Sequence, residues 1–547
     1  MKNYPYYDVP RYETFLQMMN VAKKYGDKPA FVWYDRQQEQ HTLTYTQLCK
    51  QVDGLKEQLL AMGLGGCHLA IVSENSLEWI VAFLGTVMAG GIAVCVDIEQ
   101  SDDTIRQLIC QADSDIVVAS PTFHAICAPL LADGKIKKLI STATGPRAEG
   151  YESLDDLVAQ GCALPPTPPV PKTKDDVAAI VFTSGTTSKA KPVMLSQLNI
   201  QHSATSTITM TDHGYKYFSA LPFYHSYGLS CTIVNTIVKG GTLTLNSDLR
   251  TMMRDIKLAQ PDSAVAVPLM CEALYNMLWM VLEKQGKADE MRAVLKRYRT
   301  FSRFGLHIGQ KKLIAAKNAI LGPIHVLISG GAHLDLELWQ NLNAFGIGVY
   351  QGYGITECSP MIATNRNKAC RLGSVGLLVP LCELKTVDGE IWIKGPNIMK
   401  GYYKDPESTA EVMDGDWFKT GDLGYVDKDG FIFITGRIKN LIVLKNGKKI
   451  SPEKIEELIG HIPMVKDVMV YGAASGTSTD DVKPAASIYP DPQQTQGMSS
   501  YEILEHLQTE INKINATLPV YQQVQMINIR EKEFNKTASK KIKRYDL

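Results

Sequence analysis

Neither sign of charge dominates this chain. Its 57 Lys and Arg balance 57 Asp and Glu over 547 residues, so no global field gathers polyanions, and no nucleic-acid partner is expected. Disulfide and zinc chemistry are also poorly provided for. The eleven cysteines run from Cys49 to Cys382 without a C-x-x-C pair, and the eleven histidines show no metal-ligand spacing. Such thiols are expected to stay reduced, in a reducing, cytoplasmic compartment. The opening MKNYPYYDVPRYETF lacks the apolar centre of a secretory signal, so none is expected. Internal repeats and long low-complexity tracts are missing as well. A single uncharged run, WIVAFLGTVMAGGIAVCV from Trp79 to Val96, reaches the length of a membrane span. Gly90-Gly91 interrupts it and no Lys or Arg flanks it, so it reads as a buried helix, a turn and a short strand.

What is present is organised around VFTSGTTSKAKPVMLS, from Val181 to Ser196. An apolar run, AAIVF, ends in hydroxyl and glycine residues and then two lysines, the pattern of a buried strand emptying into a small polar loop. Gly185 lets backbone amides approach closely, Thr183, Ser184, Thr186, Thr187 and Ser188 offer hydroxyls, and Lys189 and Lys191 add charge. These suit an anion, phosphate first. The loop is not a P-loop of the GxxxxGK[ST] kind, because no Gly-Lys-Ser/Thr closes it and Pro192 follows Lys191. Taken alone, a surface turn rich in Ser and Thr has the same composition.

Helices and strands alternate from Phe15 onward, and HLAIVS, the Trp79–Val96 unit and DIVVAS continue the rhythm of an α/β domain with parallel strands. A proline-rich connector, Ala163 to Asp175, precedes the polar loop, and a helix is expected directly after it. In LPFYHSYG a strand meets Pro222 and an aromatic turn, where His225 is either a satisfied core histidine or the lip of a pocket. Met291 to Arg303 reads as a basic amphipathic helix, which can lie on an anionic membrane but is more often a solvated helix of a soluble domain. IHVLISGGAHLD and IGVYQGYGITECSP are strands that end in glycine-rich turns, and parallel strands of this kind share a rim where a nucleotide can lie. The chain then becomes β-rich, and from Arg437 it reads as a compact small domain with a lysine-rich tail. The expected class is therefore α/β. A large N-terminal domain, 1–436, would hold stacked mixed and parallel sheets with helices plus a β-subdomain, and a small α+β C-terminal domain would span 437–547.

Five stretches agree in order and spacing with one family: TSGTTSKAK, LPFYHSYG, GYGITE, KTGDLGY with GRIKNLI, and the terminal KTASKKIKR. Through them the chain resembles the adenylate-forming superfamily of acyl-CoA synthetases, luciferases and peptide-synthetase adenylation domains, from Phe15 to Arg544. The resemblance implies that a carboxylate attacks the α-phosphorus of ATP, in a site that neutralises charge and fixes an in-line geometry. Thr183, Ser184, Gly185, Thr186, Thr187 and Lys191 would wrap the departing pyrophosphate. Tyr353, with Gly354 beside it, would stack on adenine, and Gly331 and Ala332 would meet the ring edge. Thr356 would bind a phosphate oxygen, and Glu357 would hold Mg²⁺. Asp422 would accept from the ribose hydroxyls, Arg437 would add a ribose contact, and Lys541 would bridge the substrate carboxylate and the α-phosphate. His225 would join them at the acyl pocket. The small domain would be mobile and turn on a hinge at Lys439, withdrawing Lys541 and presenting LKNGKKIS, where Gly447 leaves room for the pantetheine arm of CoA. Lys445, Lys448 and Lys449 would meet the CoA phosphates.

The match has departures. Ser188-Lys189-Ala190-Lys191-Pro192 stands where Gly-x-Pro-Lys-Gly is usual, Lys540 replaces the usual glycine before the catalytic lysine, and the connection before Gly389 is short. Val267-Pro268 with ALYNMLW, the basic segment after it, and GRIKNLIVLKNGKKISPEKIE look most like the long-chain fatty acyl branch. The acyl pocket would lie behind His225 and Tyr227, with Gly228, Ser230, Cys231 and Thr232 leaving room for a chain. GLSCTIVNTIV holds no charge to pair with an amino acid or a second carboxylate. The expected function is a fatty acid–CoA ligase using ATP, Mg²⁺ and CoA, with at most peripheral membrane contact. One alternative replaces CoA with an acyl carrier protein, and another is a catalytically weakened nucleotide-binding scaffold.

Overall fold

Short apolar runs become buried strands of two large sheets in the computed structural model, which describes residues 6–143, 149–183, 190–246, 248–445, 447–474, 482–536 and 542–544. In the eight-stranded sheet, His68–Val72, Ile92–Cys95, Ile116–Ala119, Lys138–Ser141, Tyr151–Ser153 and Val177–Phe182 run parallel. Pro192–Ser196 and Gly401–Tyr402 close one edge antiparallel. The fourteen-stranded sheet has a parallel half ending in Ser263–Ala266, Val326–Ser329 and Gly348–Gly354, and an antiparallel half running on through Phe431–Arg437 and Trp417–Val426. Strands covered on both faces need continuous apolar sequence, and VAAIVF and VLIS supply it.

The Trp79–Val96 run is helix, turn and strand, as its sequence indicates. Ser76 caps the helix Leu77–Met88 by accepting the Trp79 N–H at 3.1 Å, Gly90 turns the chain at φ +77°, and Ile92–Cys95 enters the sheet. Among the described residues no helix is long and apolar enough to cross a membrane. Trp79 is fully buried, stacks on Phe83 at 5.5 Å and meets Phe223 edge-on at 5.7 Å, so this helix faces the turn that carries His225. Asn75 clamps the same turn from just ahead of the helix. Its Nδ2 donates to the Leu221 carbonyl at 2.7 Å, and its Oδ1 accepts the Phe223 N–H at 2.9 Å.

The chain differs from expectation after the polar loop. A return strand, Pro192–Ser196, runs antiparallel to Val177–Phe182 before the helix Gln197–Met210 begins. Pro192 occupies the strand's first position, where a proline is tolerated, and its carbonyl accepts the Tyr403 N–H at 2.8 Å. Ser196 and Asn199 form a capping box at the helix start, and Asn199 Nδ2 also donates to the carbonyls of Pro396 and Ile398 at 2.8 and 2.9 Å. One side chain thus fixes the helix and docks the segment leading to Gly401–Tyr402.

A separate core begins at Ile442. It comprises the hairpin Ile442–Val443 and Lys449–Ile450, the sheet of Val465–Ala474, Val482–Pro490 and Met526–Ile529, and the helices Pro452–Gly460 and Ser500–Asn515. Ile455, Ile459, Leu507 and Ile511 fill its centre. The architecture is therefore a large N-terminal α/β part with mixed sheets and a small C-terminal α+β part. Two histidine–carboxylate contacts cross between them: His333 Nε2 to Glu457 Oε1 at 3.3 Å, and His461 Nε2 to Asp335 Oδ2 at 2.8 Å.

Replacing Asn75 by Ala strands a buried carbonyl and an amide in the His225 turn. It should cost about 2–4 kcal/mol in urea denaturation, whereas a loss below about 0.5 kcal/mol would mean that the clamp contributes nothing. Acid should loosen the junction between the two parts. His333 holds the Glu457 carboxyl below its ordinary value against partial burial. Burial pushes Asp335 up, but the Leu338 amide and His461 outweigh it and hold this carboxyl low too. Carboxyls depressed by docking contribute fully above the undocked carboxylate range, near pH 4, and lose that contribution as pH falls through their lower docked values. Lowering the pH from about 6 to about 3 should reduce the protection of the Ile438–Asn440 amides, taken as exchange relative to the intrinsic rate at each pH, more in the wild type than in a His333→Ala/His461→Ala variant. Equal loss of protection in both would remove the carboxylate pairs as the cause.

Candidate active site

Asp422 is 2% exposed, yet both carboxylate oxygens are engaged. Arg437 Nε donates to Oδ1 at 2.7 Å, and the Tyr353 hydroxyl donates to Oδ2 at 2.6 Å. Three strands bring the group together. Trp417–Val426 and Phe431–Arg437 pair with Asp422 directly opposite Arg437, and Tyr353 comes from the end of Gly348–Gly354. The Thr420 hydroxyl accepts the Asp422 amide at 3.1 Å. Burial, then the Asp422 carboxylate, drives the Tyr353 phenol far above its ordinary value, so it remains a donor. A carboxylate held this way keeps spare lone pairs to accept vicinal hydroxyls.

A second carboxylate, Glu357, lies four residues after Tyr353. Glu357 Oε1 accepts the Tyr402 hydroxyl at 2.8 Å, the Glu357 carbonyl accepts the Met399 N–H at 2.9 Å, and the Lys191 ammonium sits 4.7 Å above the Tyr402 ring. Burial and the Glu357 carboxylate raise the Tyr402 phenol as well. The turn that presents Glu357 requires Gly354, since a Cβ there would lie 2.0 Å from the Pro360 carbonyl oxygen. Among the described residues Glu357 Oε2 accepts no hydrogen bond. Its free oxygen fits a hard cation such as Mg²⁺, which takes one or two carboxylates and completes its shell with water and phosphate oxygens. No group of three His, Cys, Asp or Glu that could hold a metal occurs among the described residues. Lys439 feels both carboxylates. Burial and Arg437 depress its ammonium, while Asp422 and Glu357 pull it up, so one cation stands within electrostatic reach of both.

Thr183 and Lys191 form the neck of the polar loop: the Thr183 N–H donates to the Lys191 carbonyl at 3.0 Å, and the Lys191 N–H donates to the Thr183 hydroxyl at 3.1 Å. Ser184, Gly185, Thr186, Thr187 and Lys541 lie outside the described residues. On one side of Lys541, Lys536 pairs with Asp467 at 2.8 Å. On the other, Arg544 holds Glu456 at 2.6 and 2.7 Å and the Val470 carbonyl at 3.1 Å. Gly331, at φ +86°, and Ala332 are exposed in the turn after Val326–Ser329, and Thr356 is half-buried beside Glu357. Gly447 turns the hairpin at φ +78° with open space where a Cβ would be. His225 heads a short helical turn, tilted against Tyr224 at 4.8 Å.

One expectation needs correction. A Cβ on Gly228 would lie 2.0 Å from the Pro222 carbonyl oxygen, so this glycine accommodates backbone rather than an acyl chain. Ser230, Cys231 and Thr232 are buried in the π-helix Leu229–Val234, where Cys231 packs on Met361 and Val379. Sequence reasoning also missed Tyr402. Its strand, Gly401–Tyr402, is too short for any periodicity, and only the GYY triplet marks it.

With the geometry in hand, residues 19–403 match the AMP-binding enzyme family, and residues 439–547 match the AMP-binding enzyme C-terminal domain. The chain belongs to the AMP-binding enzymes. Curated relatives of this AMP-binding enzyme include the long-chain-fatty-acid–CoA ligase FadD15 of Mycobacterium bovis, 26% identical over 86% of this chain and 81% of that protein. The chloroplastic long-chain-fatty-acid–[acyl-carrier-protein] ligase AEE15 of Arabidopsis thaliana is 27% identical over 87% of this chain and 76% of that protein. The crystal structure of the anthranilate CoA ligase AuaEII in complex with anthranoyl-AMP shares the fold, with a TM-score of 0.78 at 19% identity over 98% of this chain and 97% of that one.

Arg437→Ala leaves Asp422 buried with Oδ1 unmatched. The variant should lose about 1–3 kcal/mol of stability, read by thermal or urea melting, and Arg437→Lys should recover only part of it because the Nε geometry is lost.

Proposed function

We propose that this AMP-binding enzyme activates a fatty acid with ATP to acyl-AMP and pyrophosphate, then transfers the acyl group to CoA with release of AMP. The observation that carries the reading is the pair of tyrosine-held carboxylates: Asp422, bound by Tyr353 at the end of Gly348–Gly354, and Glu357, four residues after Tyr353, bound by Tyr402. One carboxylate, fixed by Tyr353 and Arg437, suits ribose, and the other, beside the Lys191 neck, suits the phosphate end of the same nucleotide. The substrate carboxylate oxygen attacks the α-phosphorus, and the bond to pyrophosphate breaks. Asp422 accepts the ribose hydroxyls, the 183–191 loop receives the leaving pyrophosphate, and Lys541 stabilises the charge shared by the carboxylate and the α-phosphate. Mg²⁺, when bound, would neutralise phosphate charge, and Glu357 would hold it. In the second step the CoA thiol attacks the acyl carbonyl, loses its proton, and AMP departs. Gly447 offers the pantetheine arm an unobstructed approach. We place the domain boundary between Gly436 and Arg437 and the hinge at Lys439, next to the last strand of the large sheet. Unpaired cysteines throughout favour a reducing, cytoplasmic setting.

Fatty acid is preferred because the segment behind His225 and Tyr227 is apolar and uncharged and because FadD15 carries that name. The AEE15 relative keeps a second acceptor, the pantetheine arm of an acyl carrier protein, in view.

Pyrophosphate release should be measured with ATP and Mg²⁺ across carboxylic acids from acetate to palmitate plus aromatic acids, with and without CoA. The proposal expects release with long acids and accumulation of acyl-CoA. Release without CoA consumption would transfer the second step to a carrier protein, and response only to aromatic acids would overturn the fatty-acid assignment. Lys541→Ala should cut pyrophosphate release by about 100-fold or more yet still convert preformed acyl-AMP and CoA to thioester. Equal release by the variant would sink the role given to Lys541.

A further inference from the structure

The helices Pro268–Lys284, Ala288–Ser302 and Leu336–Ala344 line an open cleft of about 560 Å³, a size usual for small-ligand sites. It stands apart from the carboxylate pair. Tyr275 and Trp279 lie two to three turns along their helix, on the order of 10–16 Å from its first residue, Pro268. They form the aromatic wall, edge to face at 6.1 Å, with Leu295 beside them.

The charge around this wall is unbalanced. Arg292 sits 5.4 Å over the Trp279 ring and pairs with Glu283 at 2.6 Å and Asp289 at 3.0 Å, and Arg299 pairs with Glu337 at 2.6 Å. Lys296 and Arg303 also line the cavity, and among the described residues neither forms an ion pair. A solvated amphipathic helix accounts for exposed cations. It does not account for Asn341, which lines the same cavity at 5% exposure with its Oδ1 buried and without a hydrogen-bond partner. A buried acceptor of this kind is expensive to leave unmet.

The three features set three requirements: a planar ring for the indole, an N–H for Asn341 Oδ1, and two negative charges for Lys296 and Arg303. A fatty carboxylate meets none of them fully, having no ring, no donor and a single charge. We propose that this cavity binds a purine nucleoside monophosphate, with the base on Trp279, a base N–H donating to Asn341 Oδ1, and the phosphate on Lys296 and Arg303. None of these residues belongs to the catalytic assignment, so the two readings stand or fall separately.

The full chain should be titrated with AMP and with GMP while tryptophan fluorescence is followed. Wild type should quench saturably, and Trp279→Phe, which keeps an aromatic wall, should lose that component. Lys296→Glu/Arg303→Glu changes two exposed positions. It should melt as wild type does and weaken the quench by about tenfold or more. Asp422→Ala should retain the Trp279 quench, which separates this cavity from the catalytic site. An undiminished quench in Trp279→Phe, or in the double charge reversal, overturns the proposal. So does stabilisation by inorganic phosphate equal to that by AMP with no quench, since that would mark a general anion patch.

Discussion

The large part of this protein depends on holding one carboxylate, Asp422, almost wholly out of water. Desolvating an ion costs several kcal/mol unless hydrogen bonds replace its hydration. The replacements come from Arg437 on the neighbouring strand and Tyr353 on the strand end of the parallel half. Their positions require three strands to stay in register, so the antiparallel half of the fourteen-stranded sheet is locked to the rim of the parallel half. Arg437 is also the last residue of its strand, immediately before the turn Ile438–Asn440 that leads to the small part. The residue that completes the buried ion pair therefore also sets where the small part departs.

Two tyrosines play matching roles on the two carboxylates. Tyr353 donates to Asp422 and Tyr402 donates to Glu357, and burial lifts both phenols well above their ordinary values. A lysine in either place would neutralise the acid and weaken its attraction for a hydroxyl or a cation. A phenol fixes the orientation of the carboxylate and leaves its charge in place. Positive charge enters nearby but off-axis, with Lys191 over the face of Tyr402 and Lys439 near enough to feel both acids.

The buried elements were legible because their signal is local. VAAIVF and VLIS are apolar throughout, Gly90-Gly91 divides helix from strand, and the spacing of Met291, Leu295 and Tyr298 marks the face that the Ala288–Ser302 helix buries. Two of the five motifs, GYGITE and KTGDLGY with GRIKNLI, contain Tyr353, Glu357, Asp422 and Arg437. What stayed hidden depends on partners distant in sequence. Asn75 reaches across 146 positions to Leu221, and Tyr402 reaches across 45 to Glu357. The return strand Pro192–Ser196 was missed because its first residue is a proline, which reads as a breaker until it is placed at the first position of a strand. Gly228 was misread for a related reason: a missing side chain looks the same in sequence whether ligand or backbone takes up the space.

The Asn75 clamp bears on how the His225 turn can be exchanged between relatives. The turn at Leu221 to Phe223, which leads into His225, is shaped from outside by an amide side chain in the other sheet and by the Trp79 ring behind it. A graft that exchanges only the 221–234 segment between relatives carries half of a two-part lock. A chimera that keeps its acceptor's residues at 75 and 79 sets the new segment on a foreign mould, so the unit that shapes this turn is discontinuous and includes the start of the Leu77–Met88 helix.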